Sequence, residues 1–311
     1  MFKQNAINSL PVFPEFRLVV LEDKDVFHSF TSKFPPYSDF NFTSLWSYNT
    51  KNDIQISNLN NNLVMLFRDY ITDEPFYTFI GDNNLTDTLD TLFKDASIKN
   101  ILKELSLVPE HNFLHSNINS VLFDVIEDPD NYDYILSIGE ISELTGNKYQ
   151  TQRNHVSRFV REHPHLNIRL LDANDQSIKE SILELFYFWE KQKNKPRIDT
   201  ITELTAIQRL LKDSNYFELV VIGIYDGDKL VGFTISDAVD TEYAMLSFAK
   251  GNQNYFGIYQ MLFKQTAMEF KKRGLKYINI EQDLGIPRLK FSKQQWNPTK
   301  YLKKYKIKIN S

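Results

Sequence analysis

The chain has 311 residues, and its 42% hydrophobic and 14% aromatic content provides enough apolar material for packed cores, most simply in two domains. The formal net charge of -4 argues against a general nucleic-acid coating protein, so an anionic ligand requires a local basic patch. Because cysteine is absent, disulfides, thiolate catalysis and cysteine-bound metal centres are excluded.

The opening segment MFKQNAINSLPVFPEF carries Asn, Gln, Pro and Glu where a secretory signal needs an apolar core. No run of the sequence approaches the roughly 18–20 apolar residues of a membrane span. We therefore expect a soluble, cytoplasmic protein without an integral membrane segment.

The first half of the chain predicts a mixture of helices and strands, with a block of turn formers and large aromatic residues, PPYSDFNFTSLW, at 35–46. Asn-rich or acidic turns separate the three central strands. In chain order, the predicted elements are a strand at 16–21, a helix at 23–33, strands at 53–58, 63–70 and 75–80, helices at 86–93 and 99–105, and a strand at 132–138.

The second half shows the same order with clearer signals, including an Asp226-Gly227 pair that is typical of a hairpin. Gly274 stands where a left-handed helix cap belongs. The predicted elements are a strand at 167–171, helices at 176–193 and 201–211, strands at 218–225, 229–236 and 243–249, a helix at 255–272, and a strand at 275–280.

Helices, three meandering strands, a helix and a strand thus occur twice, which indicates a tandem duplication of one unit. The predicted fold class is α/β, more strictly α+β, with a mixed and mostly antiparallel sheet flanked by helices in each unit. We expect the first unit at residues 1–147, a basic connecting helix at 148–165, and the second unit, with the active site, at 166–311.

Residues 146–164, GNKYQTQRNHVSRFVREHP, form a basic helical segment within an acidic chain. Tyr149, Val156, Phe159 and Val160 recur at helical spacing, so they predict one buried stripe with the basic residues on the other faces. Such a helix suits an anionic partner such as phosphate or nucleic acid, but it equally fits an ordinary solvated surface. Its cations are Lys148, Arg153, Arg158 and Arg161.

A second informative segment begins where a predicted strand ends in alternating polar residues, Asn279, Glu281 and Asp283, which share one side of a strand. Such groups are costly to bury without partners, and Arg288 or Lys290 can neutralise them. One interpretation is a buried ion-pair cluster that closes the domain. The other is that a carboxylate orients or deprotonates an attacking amine or hydroxyl.

Together these segments resemble the phosphatidylglycerol lysyltransferase C-terminal domain family, a tandem-GNAT group similar to the Fem peptidyltransferases. The blocks are GNKYQTQRNHVSRF, NYFGIYQMLF and NIEQDLGIPRLKFSKQQWNP, and YSDFNFTSLW resembles an aromatic block of the first unit. The resemblance covers most of the chain. The matching residues are Tyr37, Ser38, Asp39, Phe40, Trp46, Lys148, Tyr149, Arg153, Asn154, His155, Gly257, Tyr259, Gln260, Asn279, Glu281, Asp283, Gly285 and Arg288.

The resemblance implies a GNAT-like fold in each half and transfer of an acyl or aminoacyl group to an amine or hydroxyl acceptor. Family members fused to membrane domains use aminoacyl-tRNA as donor and a phospholipid as acceptor. This chain departs from them in having no membrane domain, which puts a lipid acceptor in doubt. It also has Pro287 before Arg288, where a more flexible residue is expected.

The sequence also bears on the donor. Acetyl-CoA-using GNAT proteins hold the pyrophosphate on backbone amides of a Q/R-x-x-G-x-G/A loop, which the spacing of Gly251 and Gly257 does not reproduce. A tRNA acceptor end needs phosphate contacts and stacking surfaces, which the basic helix and the tail at 300–308, KYLKKYKIK, offer. That tail also fits an exposed edge strand whose lysines discourage aggregation.

The preferred hypothesis is a transferase that moves an aminoacyl group from aminoacyl-tRNA to a small or lipid-linked acceptor. The alternatives are an acyl-CoA-dependent N-acyltransferase and a non-catalytic protein that binds tRNA or another anion. We expect the site between splayed strands at 248–251 and 279–283, with no bound cofactor or metal. The candidate catalytic residues are Glu281, Asp283 and Arg288, and the candidate substrate-binding residues are Lys148, Arg153, Asn154, Tyr259, Asn279 and Lys290.

Overall fold

The computed structural model describes residues 10–114, 118, 120–192 and 198–310. The strands are β1 Arg17–Leu18, β2 Gln55–Leu59, β3 Asn62–Arg68, β4 Pro75–Ile80, β5 Leu105–Pro109, β6 Phe123–Glu127, β7 Asp133–Ser137, β8 Asn167–Leu171, β9 Leu219–Asp226, β10 Lys229–Ala238, β11 Tyr243–Gly251, β12 Tyr277–Asn279, β13 Lys300–Leu302 and β14 Lys304–Ile309. The α-helices are α1 Lys24–Thr31, α2 Phe42–Tyr48, α3 Leu85–Lys99, α4 Ile138–Glu143, α5 Gln150–Glu162, α6 Gln176–Gln192, α7 Ile198–Lys212, α8 Ile258–Lys272 and α9 Pro287–Gln294.

These elements confirm the α/β class, with mostly antiparallel sheets flanked by helices. One predicted element is wrong, because residues 99–105 do not form a second helix. Helix α3 continues to Lys99 and ends at Asn100, whose left-handed backbone (φ +54°) stops the helix. The apolar residues that follow form β5, which is buried along its whole length.

The order of the strands reveals the internal repeat. The seven-stranded sheet has the order β13-β7-β12-β11-β10-β9-β8. In the first half, a four-stranded sheet β1-β2-β3-β4 and a three-stranded sheet β5-β14-β6 correspond to that sheet when it is read from β8 to β13. The difference is a break in the sheet between β4 and β5. Each arrangement therefore contains one strand from the other half of the chain: β7 lies among the C-terminal strands, and β14 lies among the N-terminal ones.

This reciprocal exchange bears on the expected units. Strand β7 precedes residue 147, yet it pairs with β12 and β13, while β14 pairs with β5 and β6. The division into separate domains at 147 and 165 therefore remains a proposal. The sequence offered an exposed edge strand as one interpretation of the tail at 300–308. This interpretation is correct for β13, which lies at the edge of its sheet, and wrong for β14, which is the central strand of its sheet.

The two halves also share an apolar core. Helix α2, from the aromatic block of the first half, packs against α7, and both contribute to one cluster with side chains of β10 and β11. The Trp46 indole donates to Asp213, and the Arg209 guanidinium donates to the Trp46 carbonyl and lies 3.9 Å from the Trp46 ring. This core fixes α2 against the sheet of the second half.

A buried ion pair joins the exchanged strands. The ammonium of Lys304, at the start of β14, lies 2.8 Å from Asp133 Oδ1, at the start of β7, and 2.5 Å from Asp39 Oδ2. The side chains of all three residues are fully buried. Burial opposes the charge on Lys304, but Asp133 and Asp39 outweigh it, so the pKa of the lysine is raised.

We expect replacement of Lys304 by methionine to destabilise the protein by about 3–5 kcal/mol, because two buried carboxylates lose their shared cation. Urea unfolding measures this change. The matched control is Lys303→Met, which removes the adjacent, surface-exposed lysine that pairs with Glu127. Equal and small effects of the two substitutions would contradict a structural role for the buried pair.

Candidate functional site

The candidate site lies where two parallel strands separate. Strands β11 and β12 pair from Tyr243↔Tyr277 to Met245↔Asn279, and the pairing ends there. Residues 280 and 281 remain bonded to β7 instead, because the amide of Ile280 donates to the Tyr134 carbonyl and the Tyr134 amide donates to the Glu281 carbonyl. The pairing of β11 with β12 therefore ends where the sequence predicts the site, and the cleft expected between the second half of β11 and residues 280–283 stays a prediction.

The three polar residues at this strand end do not share one side. The strand stops at Asn279, and Glu281 adopts a left-handed backbone conformation (φ +60°) that is uncommon for a residue other than glycine. The alternating pattern expected of a continuing strand is therefore wrong here, and the side chains of Asn279, Glu281 and Asp283 reach different neighbours.

Asn279 and Asp283 are fully buried and hydrogen-bonded. The Asn279 side-chain amide donates to the Pro36 carbonyl at 2.8 Å and to Asp133 Oδ2 at 3.2 Å. The Asp283 carboxylate accepts from the Tyr134 hydroxyl and from the Gly285 amide. These contacts are those of a buried polar cluster, and they hold the segment in place around Glu281.

Gln282 ties the same segment to the buried ion pair. Its side-chain carbonyl accepts from the Lys304 ammonium at 3.0 Å, and its amide donates to Asp39 Oδ1 at 3.1 Å. The Asn279 side-chain carbonyl accepts from the Glu281 amide at 2.7 Å. Glu281 is therefore anchored on both sides, which explains how its strained backbone is maintained.

Glu281 itself is half-buried, two residues beyond the end of the β11–β12 pairing. The Ser44 hydroxyl of α2 donates to Glu281 Oε1 at 2.9 Å and lies 3.4 Å from the Ser247 hydroxyl of β11. Burial raises the pKa of Glu281; Lys293 and the bond from Ser44 oppose this shift, and the carboxylates of Asp133 and Asp39 add to it.

Lys293 of α9 is the cation that acts on this carboxyl. Its ammonium donates to the Ile280 carbonyl, and its side chain is half-buried. Burial lowers the pKa of Lys293, while Glu281 raises it. Glu281 and Lys293 therefore act on each other's pKa through their charges.

A second pair of charges lies toward the end of β11. The Lys250 ammonium is 2.5 Å from Glu203 Oε1 of α7 and 4.4 Å from the centre of the Trp189 ring. The Tyr259 hydroxyl accepts from the Trp189 indole at 3.0 Å and from the Gly251 amide at 3.3 Å. Tyr259 therefore fixes the end of β11 and the wall of the cleft.

Tyr48 connects the two charged regions. Its ring lies 5.6 Å from that of Phe248, and its pKa is raised by burial and by the charges of Glu203 and Glu281. Both carboxylates therefore lie within electrostatic reach of one phenol. Sequence reasoning missed Tyr48, Glu203, Lys250 and Lys293. The only signals were a lysine at the end of an apolar strand and the aromatic block before β2.

Arg288 and Lys290 lie on the first turns of α9, away from these buried contacts. Lys290 pairs with Asp130 at 3.2 Å on the surface. The Arg288 side chain is exposed and makes no ion pair within the described residues. Neither cation forms an ion pair with Glu281 or Asp283, although the charge of Asp283, after the bond to Asp130, raises the pKa of Lys290. Lys293 is the cation whose charge opposes the raised pKa of Glu281.

The basic helix α5 has local partners for two of its expected phosphate-binding groups. Lys148 pairs with Glu140 at 2.7 Å, and the Arg153 guanidinium donates to the carbonyls of Leu144 and Gly146 at the end of α4. Asn154 is exposed. The predicted apolar stripe is correct for Tyr149, Val156 and Phe159, but Val160 is 52% exposed. Binding of donor phosphates by Lys148, Arg153 and Asn154 remains a prediction.

Helix α5 also covers the first turn of α8. Gly257, with a φ of +85°, approaches so closely that an added Cβ would lie 2.5 Å from the His155 carbonyl oxygen. The neighbouring Phe256 packs under Arg158 and against His155. In the described ranges, no group of three or more His, Asp or Glu side chains could hold a metal ion.

Comparisons with known proteins agree with this architecture. The sequence profile of the family described as phosphatidylglycerol lysyltransferase, C-terminal, matches residues 32–308, so the chain belongs to that family. The family's description is that of an aminoacyltransferase, which is an enzyme of the acyltransferase class. Over the stretches of chain described above, no helix combines the length and the apolar character needed to cross a bilayer.

Three individual proteins illustrate the relationship. A conserved protein of unknown function from Bacteroides thetaiotaomicron VPI-5482 has a TM-score of 0.83 and 25% identity, covering 95% of this chain and 99% of that one. The C-terminal domain of a putative lysylphosphatidylglycerol synthetase from Agrobacterium fabrum shares the fold, with a TM-score of 0.64 and 12% identity over 94% of this chain and 91% of that one. The uncharacterized protein MYCGA3080 of Mycoplasmoides gallisepticum is 21% identical over 57% of this chain. That match covers 56% of the length of the Mycoplasmoides protein, so this chain spans about half of that relative.

We expect Arg153→Ala to lower the free energy of unfolding by about 1–2 kcal/mol, because the carbonyls at the end of α4 lose a charged donor. Thermal or urea unfolding measures the change. Arg161→Ala removes an exposed arginine from the same helix and serves as the control. A loss of stability no larger than that of the control would show that Arg153 is free for a ligand.

Proposed function

We propose that this protein transfers an aminoacyl group from aminoacyl-tRNA to an amine or hydroxyl acceptor, in the cytoplasm, with Glu281 as the general base. The observation that carries the proposal is the position of Glu281. It is a half-buried carboxyl with a raised pKa, it accepts from the Ser44 hydroxyl, and it lies just beyond the end of the β11–β12 pairing. General bases work best when their pKa lies near the operating pH.

The reaction follows from this arrangement. The acceptor nitrogen or oxygen attacks the carbonyl carbon of the aminoacyl ester, and its proton passes to the Glu281 carboxylate. The carbon–oxygen bond to the terminal ribose then breaks, and the ribose hydroxyl takes up a proton as it leaves. Lys293, whose charge acts on Glu281, is proposed to supply that proton or to stabilise the developing oxyanion.

The other residues have supporting or donor-binding roles in this proposal. Asn279 and Asp283 position the segment that carries Glu281, since both are buried and do not reach open solvent. Tyr259 shapes the wall of the cleft through Trp189 and Gly251. Arg288, exposed on α9, and Lys290, half-buried on the same helix, are proposed to meet phosphates of a large donor.

The covered start of α8 favours tRNA over acyl-CoA as the donor. A CoA pyrophosphate needs free backbone amides at a helix start. Here α5 lies against that turn at Gly257, and Phe256 is packed between Arg158 and His155. The acceptor is proposed to be a small amine or a lipid-linked group, since both present a nucleophile that a half-buried carboxylate can deprotonate.

We expect Glu281→Gln to lower the transfer rate by about 100-fold or more, because the amide cannot accept the acceptor's proton. The assay follows radiolabelled aminoacyl-tRNA with phosphatidylglycerol vesicles in one arm and a mixture of soluble amines in the other. Wild-type activity should rise with pH as the Glu281 carboxyl, whose pKa is raised, loses its proton. The Gln variant should lack that rise.

The control for this experiment is Glu242→Gln, which removes an exposed carboxylate that pairs with Lys276 on the surface. It should leave the transfer rate and its pH dependence unchanged. An active Glu281→Gln protein with the wild-type pH profile would refute the assignment of the base. Stabilisation of the protein by acetyl-CoA or longer acyl-CoA would instead support a CoA donor.

Arg288→Ala should strongly reduce transfer and leave the unfolding temperature nearly unchanged, because the exposed guanidinium has no ion pair within the described ranges to lose. Lys290→Ala, which removes a surface pair with Asp130, tests the neighbouring cation. The salt dependence of tRNA binding should be shallower in the Arg288 variant. A loss of stability as large as the loss of activity would mean that Arg288 has a structural role instead.

A further inference from the structure

The carboxyl of Glu281, in the second half of the chain, receives a hydrogen bond from the first half. The Ser44 hydroxyl, in the first turn of α2, donates to Glu281 Oε1 at 2.9 Å, across 237 positions of the sequence. A hydrogen bond to one oxygen of a carboxyl fixes its orientation and favours its charged form. Ser44 therefore acts directly on the group proposed to be the base, although it has no role in the transfer steps described above.

Local contacts hold the Ser44 side chain in this position. Asn41 caps α2, and its side-chain carbonyl accepts from the Ser44 amide at 2.9 Å. The Ser44 hydroxyl lies 3.4 Å from that of Ser247, and the two residues are 5% and 8% exposed. Because Ser44 gives its hydrogen to Glu281, Ser247 is the donor in the contact between the two hydroxyls. Ser44 is thus held from its own helix and from β11.

Ser247 reaches α2 because the ladder is irregular at this point. Phe248 pairs with Ile235 and Leu246 pairs with Ser236, so Ser247 has no partner on β10. An extra residue of this kind redirects a side chain out of the regular alternation of a strand. The neighbouring Phe248 also contacts α2, since its ring lies 5.6 Å from that of Tyr48.

The two carboxyl oxygens of Glu281 have different surroundings. Oε1 receives the bond from Ser44, whereas Oε2 receives no hydrogen bond from the described part of the chain. The backbone of Glu281 is also fixed, because its amide donates to the Asn279 side chain at 2.7 Å. With the backbone and one oxygen both held, Oε2 is the oxygen left for the proton of the acceptor.

Other titratable groups act on the same carboxyl from several parts of the chain. Lys293 opposes the raised pKa of Glu281, and the charges of Asp133 and Asp39 add to it. Burial raises the pKa of the Tyr48 and Tyr70 phenols, which are also within electrostatic reach of Glu281. Both phenols are therefore neutral near pH 7. Ser44 is the hydroxyl that bonds to the Glu281 carboxyl within the described residues.

We propose that Ser44 is a positioning residue for the transfer reaction, which directs Glu281 Oε2 toward the acceptor and favours the ionised carboxylate. This inference rests on the proposed role of Glu281 as the general base. In the step itself, the proton of the acceptor passes to Oε2, and the hydrogen of Ser44 stays on its own oxygen. No bond to Ser44 forms or breaks, so the first half of the chain contributes to the reaction through orientation and charge.

Loss of this hydroxyl changes the pH at which the base becomes active. The bond from Ser44 lowers the pKa of Glu281, against the larger rise caused by burial. Without that bond the pKa rises further, so the carboxylate that takes up the proton is present only at higher pH. Ser44→Ala should therefore move the increase of the transfer rate to higher pH.

The first test needs no catalytic activity. Carbon-13 NMR titration of the full-length protein compares the midpoint for Glu281 in the wild type, Ser44→Ala and Ser47→Ala. We expect Ser44→Ala to move the midpoint upward by about one pH unit. Ser47→Ala is the matched control, because it removes another buried hydroxyl of α2, one that donates to the Thr43 carbonyl of the same helix.

The control should leave the Glu281 midpoint unchanged. An unchanged midpoint in Ser44→Ala, or an equal shift in Ser47→Ala, would overturn the proposal. The expected shift in a protein that transfers no aminoacyl group would refute the proposed reaction while confirming that Ser44 controls Glu281. The two hypotheses are thus distinguished by one experiment.

The second test follows aminoacyl transfer over a range of pH and acceptor concentration. Ser44→Ala should lower kcat by about ten-fold with little change in KM, because a misdirected base affects the reaction rather than binding. Ser44→Thr keeps a hydroxyl and should restore both the rate and the pH profile. A change in KM alone, or a Ser44→Ala profile that coincides with the wild type, would contradict the positioning role.

Discussion

The buried contact between Lys304, Asp133 and Asp39 is the constraint on which the rest of this structure depends. Each half of the chain gives one strand to the other, and the first residues of those two strands form this contact. An uncompensated charge in this interior would be strongly unfavourable, so an arrangement that separates the three groups is disfavoured. The contact therefore favours the observed arrangement of the two halves.

The candidate site follows from that arrangement. Asn279 bonds to Asp133 and Gln282 bonds to Lys304, so the segment between them is held by the same polar network. Glu281 lies within this segment, and its carboxyl accepts from Ser44 of the first half, whose hydroxyl lies 3.4 Å from that of Ser247 of the second. The charges of Asp133 and Asp39 also raise its pKa. Structural and chemical roles are thus divided among neighbouring residues of one strand end.

Local patterns in the sequence predicted much of the fold. The three strands of each meander and the helices that follow them carry apolar periodicity and turn residues, which act over short distances. The strand exchange depends on contacts between residues far apart in the chain. Lys304 illustrates the difference: its alternating context indicates an exposed strand, whereas Asp39 and Asp133, distant in sequence, make its burial favourable. Arg288 or Lys290 was likewise expected to neutralise Glu281, but the cation whose charge acts on this carboxyl is Lys293.

The exchange of strands between the two halves holds Glu281 half-buried, and this burial raises the pKa of its carboxyl above the ordinary glutamate value. Carbon-13 NMR titration of the full-length protein with labelled glutamate, with the signal assigned through Glu281→Gln, measures this directly. We expect the titration to give Glu281 a pKa clearly above that of an ordinary glutamate. A pKa equal to that of the exposed glutamates would contradict it.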